Sequence, residues 1–472
     1  MIRRHVVAAA AALALLGGCA GVRPPVPEEA RVTAPDGWRT ASTGNAALTS
    51  NWWESFGDPD LTRVVQTALA HNDDVQLAAA RILEVEAQYG YTRAQQGPNL
   101  VGGAAAVRER NVNPGFGVPE YQTATESLLS LSFDADLFGR LASASDAAKA
   151  SLLATRAARA NIQLDVAAAS ARTYLTLRSL DERLAILQRT LDARTQSLQI
   201  MRRRASVGYS SQLELAQAEA ELRATEQLIP TTKLAIRRSE DALNVLLGQT
   251  PAAIVRPEGV ALPNVPSLPS ALPSSLLRRR PDIVAAEDRL VAADHALDSA
   301  RAAFMPDLQL SGSYGSVTSS LIHDSPLAIF SLGGSLLAPI FDSGRLKAQQ
   351  ETVAARRDEA AFAYRKATLQ AFSEVEDALA ANQRIREQST SLEGQRVALQ
   401  RNLQIATSRY RAGYSPYLDQ LDAQRGLLGV ELSLARSRAD ELIACVALFQ
   451  ALGGGWDRSG IEPVQAANKI RD

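Results

Sequence analysis

The chain has 472 residues, which is more than one hydrophobic core usually supports, so we expect two or more structural regions. Its 50 lysine and arginine residues nearly balance its 51 aspartate and glutamate residues, and this balance gives no support for nucleic acid binding. The four histidines are scattered, without metal-ligand spacing or a nearby nucleophile motif, so we expect no enzyme, no metal site and no cofactor.

The N-terminus has the pattern of a secretory signal. Arg3 and Arg4 precede the apolar run Val6–Leu16, and small residues then lead to Cys19. This order predicts a signal peptide over residues 1–18 rather than a membrane span. The position of Cys19 resembles a bacterial lipobox, which implies cleavage before this residue and its acylation, for example with palmitate. The alternative is an ordinary signal peptide with an incidental cysteine.

A helical region follows a linker over residues 19–51. The chain is expected to be helical from Asp60 to Gln95, with Asp73 and Asp74 as capping residues inside that stretch. Beyond the signal, no run of about 18 apolar residues predicts a transmembrane helix. Contact with a membrane therefore has to come from strands.

Alternating residues predict a β-hairpin over about residues 98–138, with a turn at Asn113–Gly117. Its second strand places apolar side chains on one face and hydroxyl or acidic side chains on the other. The apolar set is Leu129, Leu131, Phe133, Ala135 and Leu137, and the polar set is Ser130, Ser132, Asp134 and Asp136. A period of two with one wetted face is typical of a strand between lipid and water. A second hairpin over about residues 306–341 repeats the pattern more weakly.

Long helices with heptad spacing follow each hairpin. No proline interrupts Arg140–Val207, and its later leucines keep a heptad spacing that is broken only by Arg194. The helix after the second reversal has the same spacing, with Arg425 as its single misfit. This spacing predicts left-handed supercoiling of antiparallel helices, which reverse at Gly208 and Gly413.

The two halves of the chain repeat one arrangement. Gly139 and Gly208 are 69 positions apart, and so are Gly344 and Gly413. Two intervals of identical length indicate that an element of fixed length was duplicated within the chain. The predicted organisation, in chain order, is a signal peptide (1–18), a lipidated linker (19–51), a first repeat (52–250, with a helical hairpin over about 140–248), a connecting segment (251–275), a second repeat (276–452, with a helical hairpin over about 342–451) and a flexible tail (453–472).

Four strands per chain cannot close a cylinder. An open sheet edge in hydrocarbon leaves backbone groups unpaired, at several kcal/mol each, so closure must come from association of chains. Two chains would give an eight-stranded barrel nearly filled by its side chains, whereas three would give twelve strands around a lumen.

Four ordered motifs carry a resemblance to a known family. They are Trp52–Leu61, Leu276–Ile283, Phe341–Arg345 and Leu421–Arg425. Within the duplicated frame they resemble the outer membrane factor family, the TolC/NodT-type exit ducts of tripartite efflux systems, in its lipoprotein form. The resemblance implies a mixed α+β membrane protein. This would be a homotrimer whose twelve-stranded outer membrane β-barrel, with four strands per protomer, continues into a long periplasmic α-helical coiled-coil barrel.

The resemblance also implies a function and partners. The chain would be the outer membrane channel through which small molecules, such as drugs or toxic compounds, leave a Gram-negative cell. Its implied partners are a periplasmic adaptor (membrane fusion) protein and an inner membrane transporter, commonly of the RND type.

A periplasmic gate after the second reversal is part of what the resemblance implies. On matching positions its residues are Asp422 and Arg425, with Tyr410 as a weaker candidate and Asp419 able to share the role. Asp422 and Arg425 are three residues apart on one helix face and could pair between helices or subunits. The alternative is a solvated surface pair of little energetic value.

The two reversals are where the resemblance places contact with the adaptor. The residues concerned are Gly208, Tyr209, Gly413 and Tyr414. Turns alone explain the glycines, but exposed aromatic residues at paired turns indicate an interface.

Two other interpretations stay open at this point. A lipid-anchored periplasmic adaptor would carry a single helical hairpin between compact β domains. A structural coiled-coil lipoprotein would lack the alternating strands.

Overall fold

The computed structural model describes residues 24–40, 47–112, 117, 119–257, 262–269, 273–320 and 326–458. The predicted signal peptide, Cys19 and most of the C-terminal tail lie outside the described residues. Parts of the first hairpin turn and of the connecting segment also lie outside them. Within the described ranges, no helix combines the length and the apolar character needed to cross a bilayer.

The described part is mostly helical and contains one four-stranded sheet. The helices are α1 (Pro59–His71), α2 (Asp73–Ala94), α3 (Arg140–Ser206), α4 (Gln212–Glu226), α5 (Leu228–Leu246), α6 (Pro273–Arg279), α7 (Pro281–Ala302), α8 (Arg345–Arg411) and α9 (Tyr417–Ala451). The strands are β1 (Asn99–Val112), β2 (Pro119–Asp134), β3 (Asp307–Ser319) and β4 (Leu327–Leu337). Short 3-10 helices lie at Glu28–Ala30 and Trp52–Phe56.

The four strands form an antiparallel sheet in the order β1-β2-β3-β4. β2 and β3 are neighbours although α3 to α7 separate them in the chain; Leu131 on β2 lies opposite Leu100 on β1 and Gly312 on β3. β1 and β4 are therefore the two edges of the sheet. The two hairpins predicted from separate halves of the sequence thus join into one sheet.

By its internal contacts the chain forms two units, which we name the sheet unit and the helical unit. The sheet unit comprises Met1–Arg31, Arg81–Arg156 and Ala285–Lys366, and the helical unit comprises Val32–Ala80, Ala157–Val284 and Ala367–Asp472. α3 and α8 each contribute residues to both units, and each contains 67 residues.

In the sheet unit, an aspartate shortly before each long helix caps the start of that helix. The carboxylate of Asp136 accepts a hydrogen bond from the backbone N–H of Leu141 at 2.9 Å. The carboxylate of Asp342 accepts one from the N–H of Leu346 at 2.8 Å. The first N–H groups of a helix have no partner within the helix, and a negative charge there is favoured by the helix dipole. These aspartates therefore fix where α3 and α8 begin.

The core of the helical unit contains an aromatic cluster. Trp52 stacks on Phe449 with 5.4 Å between ring centroids, and it contacts Trp53 and Phe56 edge-on. All four side chains are buried, and burial of each contributes about 1.5–3 kcal/mol. Cys445 lies in the same cluster, where burial raises the pKa of its thiol to about 12.

Arg280, from the Leu276–Ile283 motif, links three helices of this unit. Its guanidinium donates to the carbonyl of Ala451 at 2.9 Å and forms ion pairs of 2.7 Å with Asp282 and Glu374. The Arg280 side chain is buried, so its donors need partners within the protein. The motif thus holds α7, α8 and α9 together.

Two local features differ from the expectation. The cap between α1 and α2 is Asn72, not Asp73 or Asp74: its side-chain oxygen accepts from the N–H of Asp74 at 3.0 Å. The aspartates lie in the first turn of α2 instead. The returning limb of the first hairpin is divided at Gln227, because Pro230 lacks an N–H and its ring clashes with the preceding turn.

Candidate functional site

Each long helix ends in the same reversal. Gly208 follows α3 with φ of 82°, and Gly413 follows α8 with φ of 79°. The N–H of Tyr209 donates to the carbonyl of Arg204 at 2.8 Å, and the N–H of Tyr414 donates to that of Arg409 at 2.9 Å. This hydrogen bond crosses the glycine that follows each helix and satisfies one of the last carbonyls of that helix. The glycine is in the left-handed conformation, which it adopts without strain.

The aromatic residue after each glycine points away from the chain. Tyr209 is 84% exposed and Tyr414 is 79% exposed. Large exposed rings at two equivalent turns form a matched pair of surfaces, which we name the tips (Val207–Tyr209 and Ala412–Tyr414). Their role in binding a partner stays a prediction.

Beneath the tips lies a small apolar cluster of Leu198, Met201, Ala218, Tyr417 and Leu421. Tyr410 packs on this cluster: its ring centroid is 5.3 Å from that of Tyr417, and its hydroxyl is 3.4 Å from the sulfur of Met201. In the single chain, Tyr410 is thus a packing residue at the base of the tips.

A charged network follows one turn further along α9. Arg425 donates through Nε to Oε1 of Glu221 at 2.7 Å, and its Nη1 lies 3.4 Å from Oδ1 of Asp422. Charge-assisted hydrogen bonds of this type are usually about 2.7–2.9 Å long, so Glu221 is the closer and stronger partner. Asp422 and Arg425 contact each other within α9, and this is the weaker contact of the two. Their predicted pairing between helices or subunits in a gate stays a prediction.

The other carboxylate oxygen of Glu221 holds Arg194. Nη1 of Arg194 is 3.0 Å from Oε2 of Glu221, and it also donates to the backbone carbonyl of Glu221 and to the hydroxyl of Thr225, both at 2.6 Å. Arg194 and Arg425, the two misfits of the heptad pattern, therefore share one carboxylate. A link of charged groups runs from α3 through α4 to α9.

Exposure separates the two arginines. The Arg194 side chain is 7% exposed, whereas that of Arg425 is 51% exposed. α9 instead buries the neighbouring Leu421 and Ala423. Burial lowers the pKa of Arg194, an effect that the charge of Glu221 opposes. The hydrogen bond to Glu221 raises the pKa of Arg425.

Glu221 was absent from the predicted gate. A signal for it existed: two arginines at heptad positions require a nearby carboxylate, and Glu221 is on the helix that returns beside α3. Asp419, the other predicted member, lies in the first turn of α9. Among the described residues, no group of histidine, cysteine and acidic side chains has the arrangement of a metal site.

The described part of the chain combines a four-stranded antiparallel sheet with two helices of 67 residues, which are the elements expected of an outer membrane channel subunit. The chain matches the outer membrane efflux protein family over residues 64–249 and 272–454, and it belongs to that family. It is 36% identical to the pyoverdine export outer membrane protein OpmQ of Pseudomonas putida, over 92% of this chain and 94% of that protein. It is 32% identical to the toluene efflux pump outer membrane protein TtgC of Pseudomonas putida, over 94% of each chain.

A solved structure gives the same result. The outer-membrane channel OprN superposes with a TM-score of 0.84 at 28% identity, covering 92% of this chain and 99% of that one. The predicted family, fold class and function are confirmed: the protein is an outer membrane channel of an efflux pump. The interpretations as an adaptor or as a structural lipoprotein are set aside, since the match to channels extends over nearly the whole chain.

Proposed function

We propose that three copies of the chain close one barrel and act as the exit duct of a tripartite efflux system. The observation that carries this proposal is the four-stranded sheet with free edges at β1 and β4. In hydrocarbon those edges need partners, and a neighbouring copy of the chain supplies them by pairing its β1 with β4. Three copies give twelve strands, which is enough to leave a lumen.

The partners in this proposal are a periplasmic adaptor and an inner membrane transporter of the RND type. The tips are the surfaces for the adaptor, because their exposed tyrosines are the kind of residue that interfaces bury. The cargo is small molecules selected by the transporter. This agrees with relatives of similar identity that are named for cargoes as unlike as pyoverdine and toluene.

The gate in this proposal is the network of Arg425, Asp422 and Glu221, with Asp419 beside it. Arg425 is half exposed and keeps a free face, so it can bind an acidic side chain of a neighbouring subunit while Glu221 holds it in place. Arg194 is buried and fixes Glu221 in turn. The gate thus has a buried base, formed by Arg194 and Glu221, and an exposed outer member, Arg425.

A lipid on Cys19 completes the proposal and gives the chain a second attachment to the outer membrane. It is supported by the signal pattern before Cys19. Mass spectrometry of the N-terminal peptide of the membrane-extracted protein tests it directly, with acylated Cys19 expected at the N-terminus.

The experiment that tests the channel measures mass and conductance of the purified protein. Light scattering in detergent is expected to give three chains of 50.5 kDa each, less the signal, and heating in SDS is expected to separate them. The protein in planar bilayers is expected to show ion-conducting openings. A monomer that conducts no ions would rule the proposal out.

A further inference from the structure

Charged residues are sorted between the two faces of the sheet. We name the face that carries Leu129 and Leu131 the apolar face; alternate residues of a strand share a face, and so do residues directly opposite each other on paired strands. Among the strand side chains that the structure describes, Arg108 and Arg110 are the charged residues of the apolar face. The described carboxylates of the strands are on the other face: Glu109, Glu126, Asp134 and Asp307.

Arg108 and Arg110 lie where β1 would leave the hydrocarbon in the barrel proposed above. A tilted strand needs about 9–11 residues to cross the hydrocarbon core of a bilayer. β1 begins at Asn99, so Arg108 is its tenth residue and Arg110 its twelfth. The start of β1 follows closely on the end of α2 at Ala94, so the arginines are at the end of the strand away from the helices. The residues that precede them on this face are uncharged: Leu100, Gly102, Ala104 and Ala106.

The neighbouring strand adds two hydroxyl groups to the arginines. Arg108 lies opposite Thr123 and Arg110 opposite Tyr121, and the guanidinium carbon of Arg110 is 5.4 Å from the centroid of the Tyr121 ring. We name these four residues the arginine patch. All four side chains are exposed, and no described carboxylate is within ion-pair distance of either guanidinium. Opposite Cα atoms are about 4.5–5.5 Å apart in such pairs, so two cations and two hydroxyls share one small area.

We propose that the arginine patch binds the phosphate groups of lipopolysaccharide, the glycolipid of the outer leaflet. The proposal rests on the proposed function, in which the helices are periplasmic and the far end of β1 is at the cell surface. Arginine binds phosphate through two parallel N–H donors, and the hydroxyls of Tyr121 and Thr123 can donate to further phosphate oxygens.

The depth of the patch and its charge both fit this ligand. Arginine on the lipid-facing side of a barrel is costly at the bilayer midplane and is tolerated near the headgroups, where anionic lipid attracts it. The phosphates of lipopolysaccharide are on sugars directly above the acyl chains, the level at which β1 changes from uncharged residues to Arg108. Phospholipid headgroups of the inner leaflet would lie at the other end of β1, where this face carries Leu100.

Native mass spectrometry with lipid A, the phosphorylated lipid part of lipopolysaccharide, tests the proposal. The full-length protein in detergent is titrated with lipid A, and the fraction of lipid-bound protein gives a dissociation constant. The test variant is Arg108→Met with Arg110→Met, which keeps long unbranched side chains and removes both guanidinium groups. The matched control is Arg384→Met with Arg436→Met, which removes two exposed arginines from α8 and α9 and changes the net charge equally.

We expect the dissociation constant for lipid A to rise about tenfold in the test variant and to stay unchanged in the control, because charge-assisted contacts with phosphate are lost. Lipid A without its phosphates is expected to bind the parent and the test variant equally. Equal dissociation constants of the test variant and the control for phosphorylated lipid A would overturn the site. An equally large loss with dephosphorylated lipid A would overturn phosphate as the group that is recognised.

Phosphatidylglycerol distinguishes the glycolipid from an ordinary phospholipid. We expect the parent to bind it about tenfold more weakly than lipid A, because its single phosphate cannot engage both arginines fully. Phosphatidylglycerol that binds as tightly as lipid A, and with the same dependence on Arg108 and Arg110, would overturn the assignment to lipopolysaccharide.

A second pair of variants keeps the charge. If the test variant does not assemble, Arg108→Lys with Arg110→Lys decides against Arg384→Lys with Arg436→Lys. Lysine retains the positive charge and loses the planar fork, so weaker binding of lipid A than in the control supports the site and equal binding overturns it.

The same spectra separate this site from the proposed function, because they also give the number of chains in each complex. A monomer whose binding of lipid A still depends on Arg108 and Arg110 would overturn the trimeric duct and keep the site. A trimer that binds lipid A without dependence on these arginines would keep the duct and overturn the site.

Discussion

Arg194 and Arg425 break the heptad pattern on two different helices, and Glu221 explains both. Removing Glu221 would leave Arg194 buried beside fewer acceptors, and uncompensated buried charge typically costs about 3–5 kcal/mol. Arg425 is half exposed, and its contact with Asp422 contributes about 1 kcal/mol or less. The buried pair therefore serves stability, and the exposed pair can open at little cost.

The first prediction at the residue scale concerns leakage through the closed channel. We expect the double variant Asp422→Ala with Arg425→Ala to raise passive conductance in planar bilayers about fivefold or more, because Arg425 can then no longer bind an acidic side chain of the neighbouring subunit, a contact worth about 1 kcal/mol at each subunit. The matched control is Arg436→Ala with Asp440→Ala, which removes an exposed pair of 3.6 Å from the same helix. Closed-state leakage that does not differ from the control would remove Asp422 and Arg425 from the gate.

At the scale of elements, the pairing of β2 with β3 depends on a close approach of their backbones at one glycine. A Cβ atom at Gly315 on β3 would overlap the backbone carbonyl oxygen of Ser127 on β2, which no side-chain adjustment can relieve. At Gly333 on β4, a Cβ atom would lie 3.5 Å from the hydroxyl of Ser311, an ordinary contact. β2 and β3 belong to different repeats, so Gly315 lies where the two hairpins join.

This contrast predicts different effects of one added methyl group. Gly315→Ala is expected to disrupt pairing of β2 with β3 and to lower the yield of heat-dissociable oligomer in outer membranes by about tenfold or more, because paired strands cannot separate in hydrocarbon without leaving backbone groups unsatisfied. Gly333→Ala is expected to assemble as the parent does. Normal assembly of Gly315→Ala, measured on unheated gels, would contradict the close approach.

The tips are the second element with a testable role. Replacing Tyr209 and Tyr414 together by alanine removes two exposed rings, and each ring buried in an interface is worth about 1–3 kcal/mol. We expect adaptor binding by the isolated channel to weaken by about tenfold or more, measured by surface plasmon resonance. Tyr91→Ala, which removes a ring 63% exposed on α2, is the control and is expected to bind normally.

For the whole molecule, the sequence predicted the repeated parts better than the contacts between distant segments. The alternation of apolar and polar residues predicted the strands. The equal intervals of 69 residues between the paired glycines reflect two helices of equal length. Glu221 was missed because heptad spacing describes one helix at a time, whereas Arg425 finds its partner 204 positions away. The hydrogen bond that Nη2 of Arg357 donates to the backbone carbonyl of Pro24, at 2.9 Å, was missed for a similar reason, since the two residues are 333 positions apart and a proline-rich segment has the pattern of a linker.

The shared length of α3 and α8 has a consequence for how such a channel can be made longer. One residue added to a single helix advances its end by about 1.5 Å and turns the following residues by about 100°. The tip after that helix would then differ in height and in orientation from the other tip. Seven residues are about two turns and keep the same face, so we expect growth only by whole heptads in both limbs of both hairpins together. A variant extended in this way is expected to assemble and to bind an adaptor, whereas extension of one hairpin alone is expected to abolish binding in the same resonance assay. We therefore expect the length of the helical part of the channel to change in steps of about 10 Å.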